Sequence, residues 1–462
     1  MARPRRVLGL TFNDRPIFEP AHAGSSLVLA AAGGGKTTCA AMPSILSMLS
    51  DRETAIFVSD VKAGEIAAQI APVCVKYGRP LFVIDEFEER PELAPYRISL
   101  NPFGDLESAA KRGQGELLFQ IANISHALKE EPADDAKNFY WREAPRAYFI
   151  ETGIDMLMDR HPRFATPGGL TALLSDPEVW AQALDIAAEE GDERLSASAK
   201  QVLDVKKNNT EHYSQHHNAA LTALKIFAGG PLKDAGRNPT TTHRELIESG
   251  AVVCFINPVR HADRLGPYFA LHFLALIGEK LAGCAGRMEL ILDEFTNAPL
   301  RDALKRITIQ RAFGVRTHFL AQSRQDIVRK YGERETAILE ENCTIKQWLK
   351  FSNFEEAERV SRAIGEQTNV SSGLGLSTDK NSLNGNLSTG RGRILSADDL
   401  MRLPADEQIL HVASVGFIHC RKIKQNQVAP YCDDLGDNPL EGRRMPPDPR
   451  VRLTPPSQED RA

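Results

Sequence analysis

The sequence predicts an α/β fold: a largely parallel sheet flanked by helices, with an all-α domain inserted part-way along the chain. Three observations lead there. Apolar, β-branched runs alternate with helical stretches in two blocks, 25–85 and 251–365, and that rhythm needs crossover connections and hence parallel strands. The tract 106–228 between them lacks strand alternation and is rich in Ala, Leu, Glu, Gln and Lys. A glycine turn, Gly33-Gly34-Gly35, joins the first strong apolar run to an Ala-rich helical stretch.

In chain order, residues 1–23 read as an irregular or short-stranded lead-in punctuated by Pro16, Glu19 and Pro20. The strand Leu27-Val28-Leu29-Ala30 leads through the glycine turn to a helix over about 36–49. Next come the strand Thr54–Asp60, a helix over about 64–77 and a strand ending at Asp85. Ligands of such sheets bind at the carboxyl ends of the strands, where the glycine turn and Asp60 both fall. Ser99-Leu100-Asn101-Pro102-Phe103 closes the block. Helical candidates 106–130, 137–159, 168–190 and 193–227 follow, with Pro162, Pro167 and Gly168 as breakers.

The second block holds the strand Ala251–Asn257, an apolar helix near 264–282 and a strand through Leu292 that delivers Asp293 and Glu294. A helix over about 300–313, the strand Arg316–Ser323, a helix over 324–341, the strand Thr344–Lys350 and a helix over 353–365 complete it. Residues 369–391, dominated by Ser, Gly, Asn and Thr, read as a flexible surface segment. Ser396 suits the N-cap of a helix over 396–403, and 408–414 with 416–423 suit a hairpin. The domain reading is therefore an α/β sheet domain in two parts, 1–105 and 241–432, an all-α insertion at 106–240, and a disordered tail at 433–462.

A chain of 462 residues with 42% hydrophobic residues is globular and long enough for two or three lobes. Its net charge of -5 argues against a wholly basic nucleic-acid binder while leaving room for a local basic channel. Seven scattered cysteines without a C-x-x-C pair read as reduced thiols of a cytoplasmic protein. The basic N-terminus has no apolar segment behind it, and no stretch approaches a membrane-spanning length, so neither signal peptide nor span is expected. His212, His216 and His217 share helical spacing, but with only Glu211 nearby they read as surface or helix-contact histidines rather than metal ligands.

The strand, glycine turn and Lys36-Thr37 pair have the order of a phosphate-binding loop. Small residues let successive N-H groups point at phosphate oxygens, and the following helix adds its positive end. Gly33, Gly34, Gly35, Lys36, Thr37 and Thr38 are thus the candidate nucleotide-binding residues, with Lys36 on the β/γ-phosphates and Thr37 on Mg2+. Ala30 stands where the G-x-x-x-x-G-K-[ST] pattern has its first glycine, so its φ must stay negative.

Such a site needs one acid near the metal and another to orient water. Two pairs qualify, Asp85-Glu86 and Asp293-Glu294. The second is favoured: its apolar lead Leu290-Ile291-Leu292 is longer, and the next strand ends in polar Gln322-Ser323, suited to sensing the γ-phosphate. The acidic run Glu86 to Glu89 beside a triphosphate is repulsive. Asp293 is then the metal acid, Glu294 the water-orienting base and Gln322 the sensor.

The order of these signals resembles the TraG/TraD-type coupling-protein ATPases of conjugation and type IV secretion, within the wider FtsK-like group. The resemblance rests on Ala31 to Thr38, Ser59 to Glu65 as a D-x-K-G-E-like segment, the Asn101-Pro102 turn, Leu292 to Phe295, Ala321-Gln322-Ser323 and Arg391 to Leu403. It implies a RecA-like P-loop NTPase domain with an inserted all-α domain, using ATP and Mg2+. It also implies a hexameric motor, monomeric when isolated, that recruits and translocates DNA or a relaxase-DNA complex with type IV secretion components. In such rings a neighbour supplies an arginine, and Arg311 or Arg316 is the candidate. Family members usually begin with membrane-spanning helices. Without one, this chain reads as a soluble cytoplasmic variant, as one that reaches the inner membrane through a separate partner, or as a truncated form. Lys206, Lys207 and the polar run to His217 are either a substrate face or a solvated one. The alternative function is a nucleotide-gated docking or scaffold protein that binds a relaxase or effector with little turnover.

Overall fold

The computed structural model describes residues 4–129, 139–262, 264–296, 310–376 and 383–453. The strands of the main sheet are β1 (Val7–Leu10), β2 (Pro16–Phe18), β3 (Ser25–Ala30), β4 (Thr54–Asp60), β5 (Leu81–Ile84), β6 (Val252–Ile256), β7 (Arg287–Leu292), β8 (Val315–Ala321) and β9 (Cys343–Lys350). After the ribbon formed by β10 (Glu366–Leu376) and β11 (Leu383–Arg393), β12 (Glu407–Val412) and β13 (Gly416–Arg421) rejoin it. The order is β2-β1-β13-β12-β9-β3-β8-β7-β4-β6-β5. From β9 to β5 all pairs are parallel, and β12, β13, β1 and β2 extend the sheet in antiparallel fashion.

The parallel strands are buried on both faces, which is why they read as continuous apolar runs. Alternate side chains feed two cores. Leu27, Leu29, Phe57, Leu290 and Leu292 face one, and Val28, Ile56, Val58 and Ile291 face the other. The first core is shared with the apolar helix Gly266–Leu281 and the all-α region, the second with the helices Met42–Met48 and Glu65–Lys76.

The all-α region interrupts the chain between the neighbouring strands β5 and β6. Outgoing and returning segments run side by side, with Thr240 N donating to Ser99 O at 2.9 Å. Asn101 pins the junction: its Oδ1 accepts from Phe103 N at 3.0 Å, and its Nδ2 donates to Ala165 O at 2.9 Å. Gly236 at φ 77° packs there so closely that a Cβ would lie 2.5 Å from Asn101 Cα. Within the region helices start at side-chain caps: Asp105, Thr166, Asp176, Asp192 and Asn209 each accept a hydrogen bond from the first turn. Phe149, Trp180, Leu184, Ala199 and Leu224 form its buried centre. His217 bonds to Leu174 O at 2.8 Å, and His216 is buried against Tyr140 and Trp141.

Three expectations change. The segment 369–391 belongs to the ribbon of β10 and β11, paired from Glu366↔Arg393 to Leu376↔Leu383, apart from 377–382, which lie outside the described residues. Its composition is dominated by small and polar residues, and main-chain pairing does not require apolar ones. The stretch 433–453, read as part of a disordered tail, is tied down. Val428–Ala429 pairs with Val451–Arg452, Val451 joins the second core, and Asn438 Nδ2 donates to Glu65 Oε1 at 2.8 Å. Residues 454–462 lie outside the described residues. The helix 324–341 is two helices, Arg324–Tyr331 and Glu333–Asn342, parted at Gly332, whose φ is 91°. Most of the helix expected at 300–313 lies outside the described residues. Among the described residues no helix is long and apolar enough to cross a membrane.

Candidate active site

Strand β3 lies between β8 and β9 and hands directly into the glycine turn. Ala30 remains in extended pairing with Lys350 and is not left-handed, so the position needs no glycine. Left-handed geometry falls instead on Gly33 (φ 69°) and Gly35 (φ 91°). Beyond them residues 36–41 form a wide, π-type turn ahead of the α-helix Met42–Met48. Pro43, which has no N-H to give an α-helical ladder, sits at that transition. Lys36 is 6% exposed, and its ammonium donates to Ala30 O at 3.2 Å.

Strand β7 brings Asp293 and Glu294 to the same crevice. Thr37 Oγ1 donates to Asp293 Oδ2 at 3.4 Å, and Glu294 Oε1 lies 3.5 Å from Lys36 Nζ. Glu294 is left-handed at φ 48°, which turns the adjacent carboxylates apart. From the end of the intervening strand β8, Gln322 Nε2 donates to Glu294 Oε2 at 3.2 Å. The other acidic pair follows edge strand β5, five positions from β3 and about 24 Å away at ordinary strand spacing. There Asp85 accepts from Glu89 N and Arg90 N at 3.0 and 3.1 Å, and Glu86 accepts from Tyr268 Oη at 3.0 Å. That pair shapes a turn.

The crevice is rich in buried charge. Burial raises the Asp293 carboxyl to about 6, with nearby Lys62 and Lys36 working against the rise and Glu294 adding to it. Asp60 accepts from Ile66 N and Ala67 N at 2.8 and 2.9 Å, fixing the start of the helix Glu65–Lys76, and burial raises it to about 7. Lys62 Nζ donates to Thr37 Oγ1 at 3.1 Å and sits 3.8 Å from Glu65 Oε2. The sequence offered Lys62 only as part of a family-like segment, with no role. Among the described residues Asp293 Oδ1 is buried without a hydrogen-bond partner, beside the Thr37 hydroxyl. A buried carboxylate oxygen awaiting a partner next to a hydroxyl is a hard-oxygen donor set that fits Mg2+.

The two candidate arginines differ. Arg316 is buried in a network with Glu289 and Glu19, the latter at 2.7 Å; Glu19 also pairs with the buried Arg6, and Glu289 with the buried His318. It is committed to the chain's own core. Arg311 is exposed, with its guanidinium on His22 O at 2.8 Å. It precedes β8, so the length of that strand, about 20 Å, separates it from the chain's own phosphate loop.

A phosphate loop, a strand-end Asp-Glu pair and a polar residue on the strand between them, on a RecA-like parallel sheet with an all-α insertion, define a P-loop NTPase. The chain belongs to the family described as type IV secretory system conjugative DNA transfer, whose model matches residues 8–438. Its fold is similar to that of the bacterial conjugative coupling protein TrwBdeltaN70, with a TM-score of 0.64 and 14% identity over 92% of this chain and 90% of that one. The plasmid coupling protein TrwB in complex with ADP and Mg2+ gives 0.63 and 14% over 92% and 91%. VirB4 of Thermoanaerobacter pseudethanolicus gives 0.51 and 14% over 92% and 97%. No curated protein matches the chain.

Proposed function

We propose that this chain is an ATP-hydrolysing coupling protein that recruits DNA, or a relaxase-DNA complex, and drives it toward a type IV secretion channel. The observation that carries the reading is the convergence of Lys36, Thr37, Asp293, Glu294 and Gln322 in one crevice. Family membership supplies the class of cargo.

The backbone of residues 33–38 and the Lys36 ammonium bind the phosphates. Thr37 Oγ1 and Asp293 would hold Mg2+, which when bound neutralises charge on the β- and γ-phosphate oxygens. Glu294 orients a water and accepts its proton as the water oxygen bonds to the γ-phosphorus and the bond to ADP breaks. Gln322 steadies the second Glu294 oxygen, so loss of the γ-phosphate is felt at the end of β8. Arg311 acts on the nucleotide of a neighbouring subunit in a hexameric ring. The protein works in the cytoplasm, where ATP is supplied, and meets the inner membrane through a partner. Lys206 and Lys207, on the helix Glu193–Asn208, are the candidate DNA contacts of the all-α region.

The test is steady-state ATP hydrolysis, alone and with single- or double-stranded DNA, beside Lys36→Ala and Glu294→Gln. DNA-stimulated turnover lost in both variants is the expected result. Nucleotide binding without turnover under every condition overturns the motor reading in favour of a nucleotide-gated docking protein.

A further inference from the structure

Lys422 follows β13 directly, far in sequence from the phosphate loop, and is 8% exposed. Its ammonium donates to Ala405 O at 2.7 Å and to Gly34 O at 3.4 Å. Both partners are main-chain carbonyls. Lys424, two residues on, is held by Asp448 at 2.8 Å, and Asp406 faces Arg421 at 3.5 Å. Burial lowers the Lys422 pKa, with nearby Cys39 and Asp406 opposing the fall and Lys350 and Lys424 adding to it. A buried ammonium whose hydrogen bonds, among the described residues, go to main-chain carbonyls is costly unless an anion arrives or its charge is used.

The contact with Gly34 has a direct geometric consequence. The Gly34 carbonyl and the Gly35 N-H belong to one planar trans peptide, in which they point in opposite directions. Holding the carbonyl toward Lys422 therefore turns the Gly35 N-H away from Lys422. The loop is also confined on that side: a Cβ at Gly34 would stand 3.1 Å from Lys350 Cβ and 2.8 Å from Ala31 O. We infer that Lys422 is a positioning residue of the nucleotide site, clamping the Gly34-Gly35 peptide in its phosphate-binding orientation and adding positive potential behind it. Residues 405–422 thereby become part of the site, and the antiparallel hairpin of β12 and β13 is coupled to nucleotide occupancy. The inference rests on the reading of residues 33–38 as a nucleotide site.

The experiment is calorimetric titration of the full chain with ADP, without Mg2+, comparing wild type, Lys422→Met, Lys422→Arg and Lys36→Ala. Thermal melts check folding. Lys422→Met is expected to weaken ADP binding about tenfold, the scale of one charge-assisted hydrogen bond. Lys422→Arg, which keeps charge and donors, recovers most of the loss. AMP, lacking the β-phosphate, changes less than twofold. If Lys422→Met unfolds, Lys422→Gln replaces it, keeping a donor without the charge, with an expected intermediate loss. ADP affinity in a folded neutral variant within twofold of wild type overturns the inference, as does an equal loss for AMP. Failure of wild type to bind ADP, or binding unaffected by Lys36→Ala, instead sinks the nucleotide reading itself, and this inference with it.

Discussion

Lys36 and Glu294 meet at 3.5 Å across the crevice between β3 and β7, and the left-handed backbone of Glu294 aims its carboxylate there. The two arrive from opposite sides of β8. On the proposed roles, an incoming phosphate replaces Glu294 as the partner of Lys36, and the displaced carboxylate becomes available to water. Glu294→Gln removes that competitor along with the proposed base. Its nucleotide affinity is expected to equal or exceed that of wild type, while turnover falls by about 100-fold or more, the usual contribution of a general base. Equilibrium nucleotide binding beside single-turnover hydrolysis checks both halves, and unaltered turnover removes Glu294 from the mechanism.

Gln322 touches the same carboxylate from the end of β8. If its work is to hold Glu294, the two substitutions must not add. Gln322→Ala is expected to lower turnover about tenfold at unchanged affinity, and Glu294→Gln with Gln322→Ala to be no slower than Glu294→Gln alone. A double variant slower by the product of the single effects shows instead that Gln322 acts on the phosphate independently.

Much of this was legible in sequence because it rests on contiguous signals. Apolar runs disclose buried parallel strands, and glycines before Lys36-Thr37 disclose the loop. The choice of Asp293-Glu294 over Asp85-Glu86 rests on the longer apolar lead, the polar end of the next strand and the acidic run after Asp85, and the longer lead reflects a central rather than an edge strand. What the sequence hid are contacts made through space. Lys62 reaches Thr37 from the turn after β4, and Lys422 reaches Gly34 from the far end of the chain. Neither sits in a pattern whose spacing reports its target. The ribbon at 366–393 was missed for a different reason: its main-chain pairing leaves little trace in composition.

Arg311 and Arg316, equivalent in sequence, separate cleanly by burial. Arg316→Met leaves Glu289 and Glu19 buried without their shared cation, a loss of about 3–5 kcal/mol on the scale of broken buried pairs. It is therefore expected to lower the urea midpoint strongly. Arg311→Ala leaves stability within about 0.5 kcal/mol, as for exposed sites, but abolishes turnover of the assembled protein. Mixing Arg311→Ala with Lys36→Ala subunits is the direct check. Recovered activity means the arginine serves a neighbour's site, and two inert proteins that stay inert when mixed exclude that role.

His243 and His272 form a buried pair, ring nitrogens 3.0 Å apart, packed against Phe255 and Tyr268. One ring donates and the other accepts, and burial favours the neutral form of both. Burial lowers His243 from 6.5 to about 3 and His272 well below its usual range. Below about pH 6.5 the unfolded chain takes up protons that the native pair refuses, so the pair's contribution to stability is lost as pH falls through that window. Asp60 and Asp293, both raised, act in the opposite sense, because the native state holds protons that the unfolded state releases. The histidine effect is therefore read as a difference. His272→Phe is expected to be less stable than wild type near pH 7.5, where a buried hydrogen bond is lost. That deficit should shrink by about 1.4 kcal/mol per pH unit below 6.5, the linkage of one proton. Urea unfolding of both proteins at pH 7.5, 6.0 and 5.0 measures it, and a deficit constant across the three would mean that the native pair takes up protons as readily as the unfolded chain.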